Sequence, residues 1–169
     1  ENVLRAVARA SKRTGCPIST HHNAPMRQGL EQIRIFREEG AQMDRVAIGH
    51  SADSTDLAYL EEMLNMGVYL VMDRYPGREG RPGWRERNAT VKALVDRGWA
   101  SKIMLGHDVG PGGLIRIGRE RVAPAYNPEG WLHLPKTALP ALRESGVSQA
   151  NIDLMMIEVP RRFLTGETA

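Results

Sequence analysis

The chain alternates short unbroken apolar runs with longer segments in which apolar residues recur at helical spacing. Leu4, Val7 and Ala8 share one face of a helix predicted over 3–13, with Lys12 and Arg13 in its last turn and Gly15 at its C-cap. The run 17–20 reads as a strand leading to His21. Leu30, Ile33 and Phe36 mark a helix over 29–39 that Gly40 stops, and 46–48 is a second strand, ending at His50. Ser54 or Thr55 is expected to cap the next helix, which turns Leu57, Leu60 and Leu64 inward and ends at Gly67.

Val68-Tyr69-Leu70-Val71-Met72 is apolar throughout, as a strand covered on both faces should be. Val91, Leu94 and Val95 mark a helix closed by Gly98. Ile103-Met104-Leu105 is too short a run for a helix and gives a strand over 102–105. Residues 109–134 read as an irregular insertion. Helices then follow at about 136–145, with Pro140 inside, at about 148–158, and from Pro160. A helix and four βα units imply parallel strands joined by right-handed crossovers. Such a set is either a small open sheet or half of an eight-stranded barrel, a fold of about 250 residues. Periodicity does not choose between them.

Composition changes this picture little. The chain has 169 residues, 41% hydrophobic and 25% charged, enough for one well-buried domain. No apolar run approaches the roughly 20 residues of a membrane span, and no signal peptide opens the chain, so a cytoplasmic location is expected. Cys16 stands alone and reads as a small apolar residue at a strand entrance. The net charge is +3. Arg74, Arg78, Arg81, Arg85 and Arg87 gather among Glu79, Glu86 and several Pro and Gly residues. That reads as a long solvated loop, not as a nucleic-acid surface.

The chemistry sits at the strand ends. His21, His50 and Asp108 each follow an apolar run, at the C-terminal rim where parallel α/β architectures place their sites. These side chains suit zinc, manganese, cobalt or iron. The first expectation is therefore a metal-dependent hydrolase. His22 and His107, one residue out of step, should point to the opposite face of each strand and play structural parts.

Several stretches resemble one family. Cys16-Pro17-Ile18-Ser19-Thr20-His21-His22-Asn23-Ala24 with Gly29-Leu30-Glu31-Gln32 is similar to the fifth strand and following helix of the phosphotriesterase family, in the amidohydrolase superfamily. Arg45-Val46-Ala47-Ile48-Gly49-His50-Ser51-Ala52-Asp53 resembles its sixth strand. Asp73-Arg74-Tyr75 resembles the seventh in the form found in phosphotriesterase-like lactonases, and Lys102 to Asp108 resembles the eighth. The tail Val159-Pro160-Arg161-Arg162-Phe163-Leu164 matches the family's closing Asn-Pro-x-Arg-Phe-Leu, with Val159 in place of Asn.

The resemblance implies a (β/α)8 TIM barrel of which residues 1–169 supply the last four βα units and the C-terminal helices. It implies two divalent metal ions, zinc foremost, with cobalt, manganese or iron as alternatives. His21, His50 and Asp108 are the implied ligands. The remaining ones, a His-x-His pair and a carboxylated lysine, belong to a first half-barrel outside this sequence, which becomes an expected partner, as does a second copy in a homodimer. Asp108, Asp53 and Arg74 are the implied catalytic residues. Arg74, Tyr75, Tyr126 and Trp131 are the implied substrate contacts. A lactone or other ester is the expected substrate, with promiscuous phosphotriester turnover. Two alternatives stay open: an amide hydrolase, because Gly130-Trp131-Leu132-His133-Leu134 is similar to a loop of animal phosphotriesterase-related proteins, and a non-catalytic piece.

Overall fold

A computed structural model describes residues 1–109 and 127–167. The elements are α1 (Asn2–Thr14), β1 (Ile18–His21), α2 (Gln28–Glu38), β2 (Val46–Gly49), α3 (Leu57–Asn65), β3 (Tyr69–Met72), α4 (Trp84–Asp96), β4 (Ile103–Leu105), α5 (Leu139–Glu144), α6 (Gln149–Asp153) and α7 (Val159–Thr165). The strands begin and end within a residue or so of their apolar runs. They pair in parallel in the order β1-β2-β3-β4, with Ile18 beside Val46, Ile48 beside Leu70 and Leu70 beside Ile103.

Strand order and face usage decide between the open sheet and the barrel. Ile18, Val46, Ile48, Leu70, Met72 and Ile103 share one core with residues of α1 to α4 and α6, such as Phe36, Leu60, Leu94 and Ile152. The other face carries Ala47, Tyr69, Val71 and Met104, which pack with Leu154 and the α7 residues Val159 and Phe163. An open doubly wound sheet reverses its strand order and lays crossover helices on both faces. Here the order never reverses and the crossover helices share a single face, which is the winding of a (β/α)8 barrel.

The ends of the helices follow local chemistry. Gly15 closes α1 in the left-handed conformation at φ 73°, its N–H bonding the Ser11 carbonyl at 2.8 Å. Val7, expected to face inward with Leu4 and Ala8, is 40% exposed, because Ala8 and Ser11 make the contact instead. The N-cap of α3 is Asp56, whose carboxylate accepts the Tyr59 N–H at 3.1 Å, not Ser54 or Thr55. On the far side of the sheet from the rim, Arg45 donates to the carbonyls of Phe163 at 2.7 Å and Gly15 at 3.0 Å. It thereby fixes the last turns of α7 and α1 together.

The C-terminal helices depart from expectation in one respect. Pro160 does not start a new helix: α6 runs through a π turn at Leu154–Glu158 straight into α7. Pro140 is reached in the same way, through a π turn at Leu134–Ala138 that leads into α5. Proline lacks the N–H of the ladder and crowds the carbonyl four residues back. The wider turn before each proline opens the room its ring needs.

Candidate metal centre at the strand ends

Four strand ends bring their side chains to one rim. His21 is the last residue of β1, His50 follows β2, Asp73 and Arg74 follow β3, and Asp108 lies three residues beyond β4. Small hydrogen bonds hold these ends. Gln32 on α2 donates to the His21 carbonyl at 2.8 Å, and the Ser51 hydroxyl donates to the Ile48 carbonyl at 2.8 Å. The backbone at three of the rim positions is left-handed: φ is 65° at His50, 62° at Arg74 and 54° at Asp108. That conformation costs most non-glycine residues roughly 1–2 kcal/mol, with Asn, Asp and His the more tolerant ones, and such outliers gather at functional sites. Asn tolerates it and Ala does not. In metal-free protein, Asp108→Asn is therefore expected to match wild type in thermal unfolding, while Asp108→Ala loses about 1–2 kcal/mol through strain and the lost Arg74 contact. Equal melting of both variants would mean that neither the left-handed backbone nor the Arg74 contact at position 108 contributes to stability.

The two rings of His21 and His50 stand edge to face, with His50 Nε2 2.8 Å from His21 Nδ1. The other nitrogen of His50, Nδ1, lies 3.0 Å from Asp73 Oδ2 and 3.8 Å from Asp108 Oδ2. One donor atom each of His50, Asp73 and Asp108 falls within 4.8 Å of the other two. Yet His50 Nδ1 and Asp73 Oδ1 are buried without an aligned hydrogen bond, an uncommon state for buried polar atoms. Burial, then the charges of His50 and Arg74, hold the His21 imidazole below its ordinary pKa. It is therefore the neutral, ligating form at pH 7. Nitrogen and carboxylate donors with unmet capacity, converging at a rim, fit a divalent cation.

A chain of charges runs outward from Asp108. Arg74 donates from Nε to Asp108 at 3.0 Å and from Nη1 to Asp53 at 2.8 Å. Asp53 is buried, and its second oxygen accepts from Arg87 Nη2 at 2.8 Å. Burial alone would raise the Asp53 pKa, but the Arg87 and Arg74 hydrogen bonds outweigh it and hold the carboxyl below its usual range.

The remaining expected residues divide. Tyr75, expected to touch substrate, is 1% exposed, packs with Leu134 and Ala138, and donates its hydroxyl to Asn88 at 3.0 Å. Burial pushes its phenol up. Its ring props the wall behind the rim and offers no open face. Trp131 is 52% exposed and ties its indole N–H to the Val109 carbonyl at 3.0 Å. Tyr126 and most of the 109–134 insertion lie outside the described residues. His107 accepts the Leu134 N–H at 3.1 Å, and His22 donates from Nδ1 to the Gly49 carbonyl at 2.5 Å.

Sequence reasoning missed two residues. Asp73 enters the sequence reading only within the Asp73-Arg74-Tyr75 resemblance, although two-residue alternation from Val71 already aims it at the face of the site. Arg87 was counted with the solvated loop. It lies instead in α4 with no exposure, in step with the apolar stripe Val91, Leu94 and Val95. That spacing was the available signal.

The Phosphotriesterase family model matches residues 1–164. The chain is 44% identical over 164 residues to the phosphotriesterase homology protein of Mycobacterium tuberculosis, covering 96% of this chain and 49% of that protein. It is 33% identical to the aryldialkylphosphatase of Saccharolobus solfataricus, covering 98% and 52%. Among solved structures, a mutant of the Deinococcus radiodurans PTE-like lactonase superposes with a TM-score of 0.83 at 32% identity, covering 95% of this chain and 51% of that one. The chain thus spans about half the length of the relatives it matches. Among the described residues, no helix is long and apolar enough to cross a membrane.

Proposed function

Because the chain belongs to the phosphotriesterase family, a family of hydrolases built on TIM barrels, we propose that it carries one half of a metal-dependent active site that hydrolyses a lactone or another carboxylic ester. The observation that carries the reading is the meeting of His21 Nδ1 and His50 Nε2 at 2.8 Å, with Asp108 Oδ2 3.8 Å from the other ring nitrogen of His50. One cation cannot use both nitrogens of a single imidazole. His50 Nε2, facing His21, is therefore assigned to the metal with His21 and Asp108, and Nδ1 to Asp73. A carboxylate behind a ligating histidine fixes its ring and raises its basicity.

Bound divalent ions, zinc foremost, supply a water acidified toward neutrality and polarise the oxygen of the scissile carbonyl. The protein's own part follows from the rim contacts. Asp108 accepts the proton of the attacking water and returns it to the leaving oxygen. Arg74 holds Asp108 in the orientation that allows this and presents its planar edge to a polar substrate group. Arg74 also separates Asp108 from Asp53, with contacts of 3.0 and 2.8 Å. A guanidinium does not release a proton in a protein, so a proton cannot hop outward through this position as it could through histidine. Substrates whose leaving group needs no such export, lactones above all, suit this rim better than phosphotriesters.

The test is a side-by-side assay of the full-length, metal-loaded protein on lactones with apolar tails, aryl phosphotriesters and N-acyl amino acids. The best lactone is expected to exceed every triester in kcat/KM by at least about tenfold, or about 1.4 kcal/mol in the barrier. A tenfold advantage for triesters would overturn the lactonase reading, and a clear lead for the amides would transfer the site to amide hydrolysis.

A further inference from the structure

A fully buried arginine is an unusual thing to keep. Removing a cation from water costs several kcal/mol even after the protein relaxes, and an apolar side chain would suit the α4 stripe as well as Arg87 does. Arg87 recovers that cost through three directed contacts. Nη2 donates to Asp53 Oδ1 at 2.8 Å, Nη1 to the Asp73 carbonyl at 2.9 Å and Nε to the Pro82 carbonyl at 2.9 Å. The acceptors come from three separate segments: the turn after β2, the end of β3, and the loop between β3 and α4. One planar group therefore fixes the backbone directly before the left-handed Arg74 and the carboxylate that Arg74 grips.

From these contacts we propose that Arg87 is a positioning residue for the rim: it holds Asp53 and the Asp73–Arg74 backbone so that Arg74 meets Asp108. Arg87 is too deep to touch substrate, and none of its contacts is a proposed metal ligand. Its influence passes along Arg87–Asp53–Arg74–Asp108. The inference rests on the hydrolase reading above for its kinetic part only, because the placement of Arg74 is measurable without turnover.

The variants are Arg87→Met, which keeps an unbranched stem and removes every donor, and Arg87→Lys, which keeps the charge but loses the fork. In the full-length, metal-loaded protein, Arg87→Met should lower kcat about 10- to 100-fold. Metal content should stay within about twofold, since no metal ligand is removed, while KM is free to rise because Arg74 also presents its edge to substrate. Arg87→Lys should recover part of that loss. The second readout needs no substrate: the Arg74 Nε–H resonance, identified by its disappearance in Arg74→Lys, should be sharp in wild type and broadened in Arg87→Met. A folded Arg87→Met with wild-type kcat and an unchanged Arg74 resonance overturns the proposal, and so does metal loss in step with activity. If Arg87→Met does not fold, Arg87→Lys decides alone: reduced kcat with metal retained supports positioning, and wild-type kcat refutes it. A wild type inactive on every ester, yet showing the resonance change in the variant, would sink the substrate reading and leave the positioning role standing.

Discussion

Replacing His50 by Asn is expected to remove metal and activity together. Bound divalent metal should fall to about half or less, and kcat/KM should fall at least about 100-fold, beyond what the loss of a mere supporting contact produces. The substitution is clean for a backbone reason. Position 50 is left-handed at φ 65°, a conformation asparagine accepts, so the main chain need not move. What changes is the donor. An amide is shorter than imidazole and a poor zinc ligand, and it leaves His21 and Asp73 without the ring that stands between them. His107→Asn is the control. Its ring accepts the Leu134 N–H and meets no proposed ligand, so it should cost about 1 kcal/mol of stability and leave metal content unchanged. Elemental analysis settles the contrast: equal metal in wild type and His50→Asn would remove His50 from the ligand set.

The second large effect is expected at a residue with no side chain. Gly49 ends β2, paired with His21 across the sheet. A Cβ built there would lie 2.2 Å from the Thr20 carbonyl oxygen, an atom of the neighbouring backbone that no rotamer change can move. Gly49→Ala must therefore force β1 away from β2 at the end where the two histidines meet. Overpacking of this kind costs about 1–3 kcal/mol. The same shift pulls His21 Nδ1 from His50 Nε2 and loosens the His22 contact with the Gly49 carbonyl. Both the denaturant midpoint and the metal content should fall, although no ligand has been altered. Wild-type metal content in this variant would mean that the pairing of the two strands does not set the His21–His50 separation.

Much of this arrangement is legible in the chain. The strands are short apolar runs that end in polar residues, and parallel winding follows from their alternation with helices. His21, His50 and Asp108 could be placed at one rim because every strand of such a sheet ends on the same side. Arg87 resisted because it follows four other arginines in a loop-like composition. Its burial depends on carbonyl and carboxylate acceptors supplied by residues 53, 73 and 82, a tertiary fact that local composition does not encode. The long C-terminal helix resisted for another reason: proline reads as a stop, and only the π turn before it cancels the clash. The choice between open sheet and barrel needed the strand order, which no single segment carries.

The π turn at Leu154–Glu158 also changes what the last helix can do. Ile152 ahead of it and Met155 within it belong to the core between sheet and helices; beyond it, Val159 and Phe163 seal the opposite face of the same sheet. One unbroken rod thus serves two interiors, and the wide turn sets the angular phase between its halves. Each residue of an α-helix advances the phase by about 100°. A single-residue deletion at 154–158 would swing Phe163 off Tyr69, whereas many substitutions there would leave the phase intact. The tail is therefore constrained by its length more than by its composition, and in comparing relatives a gap at this turn carries more meaning than a mismatch.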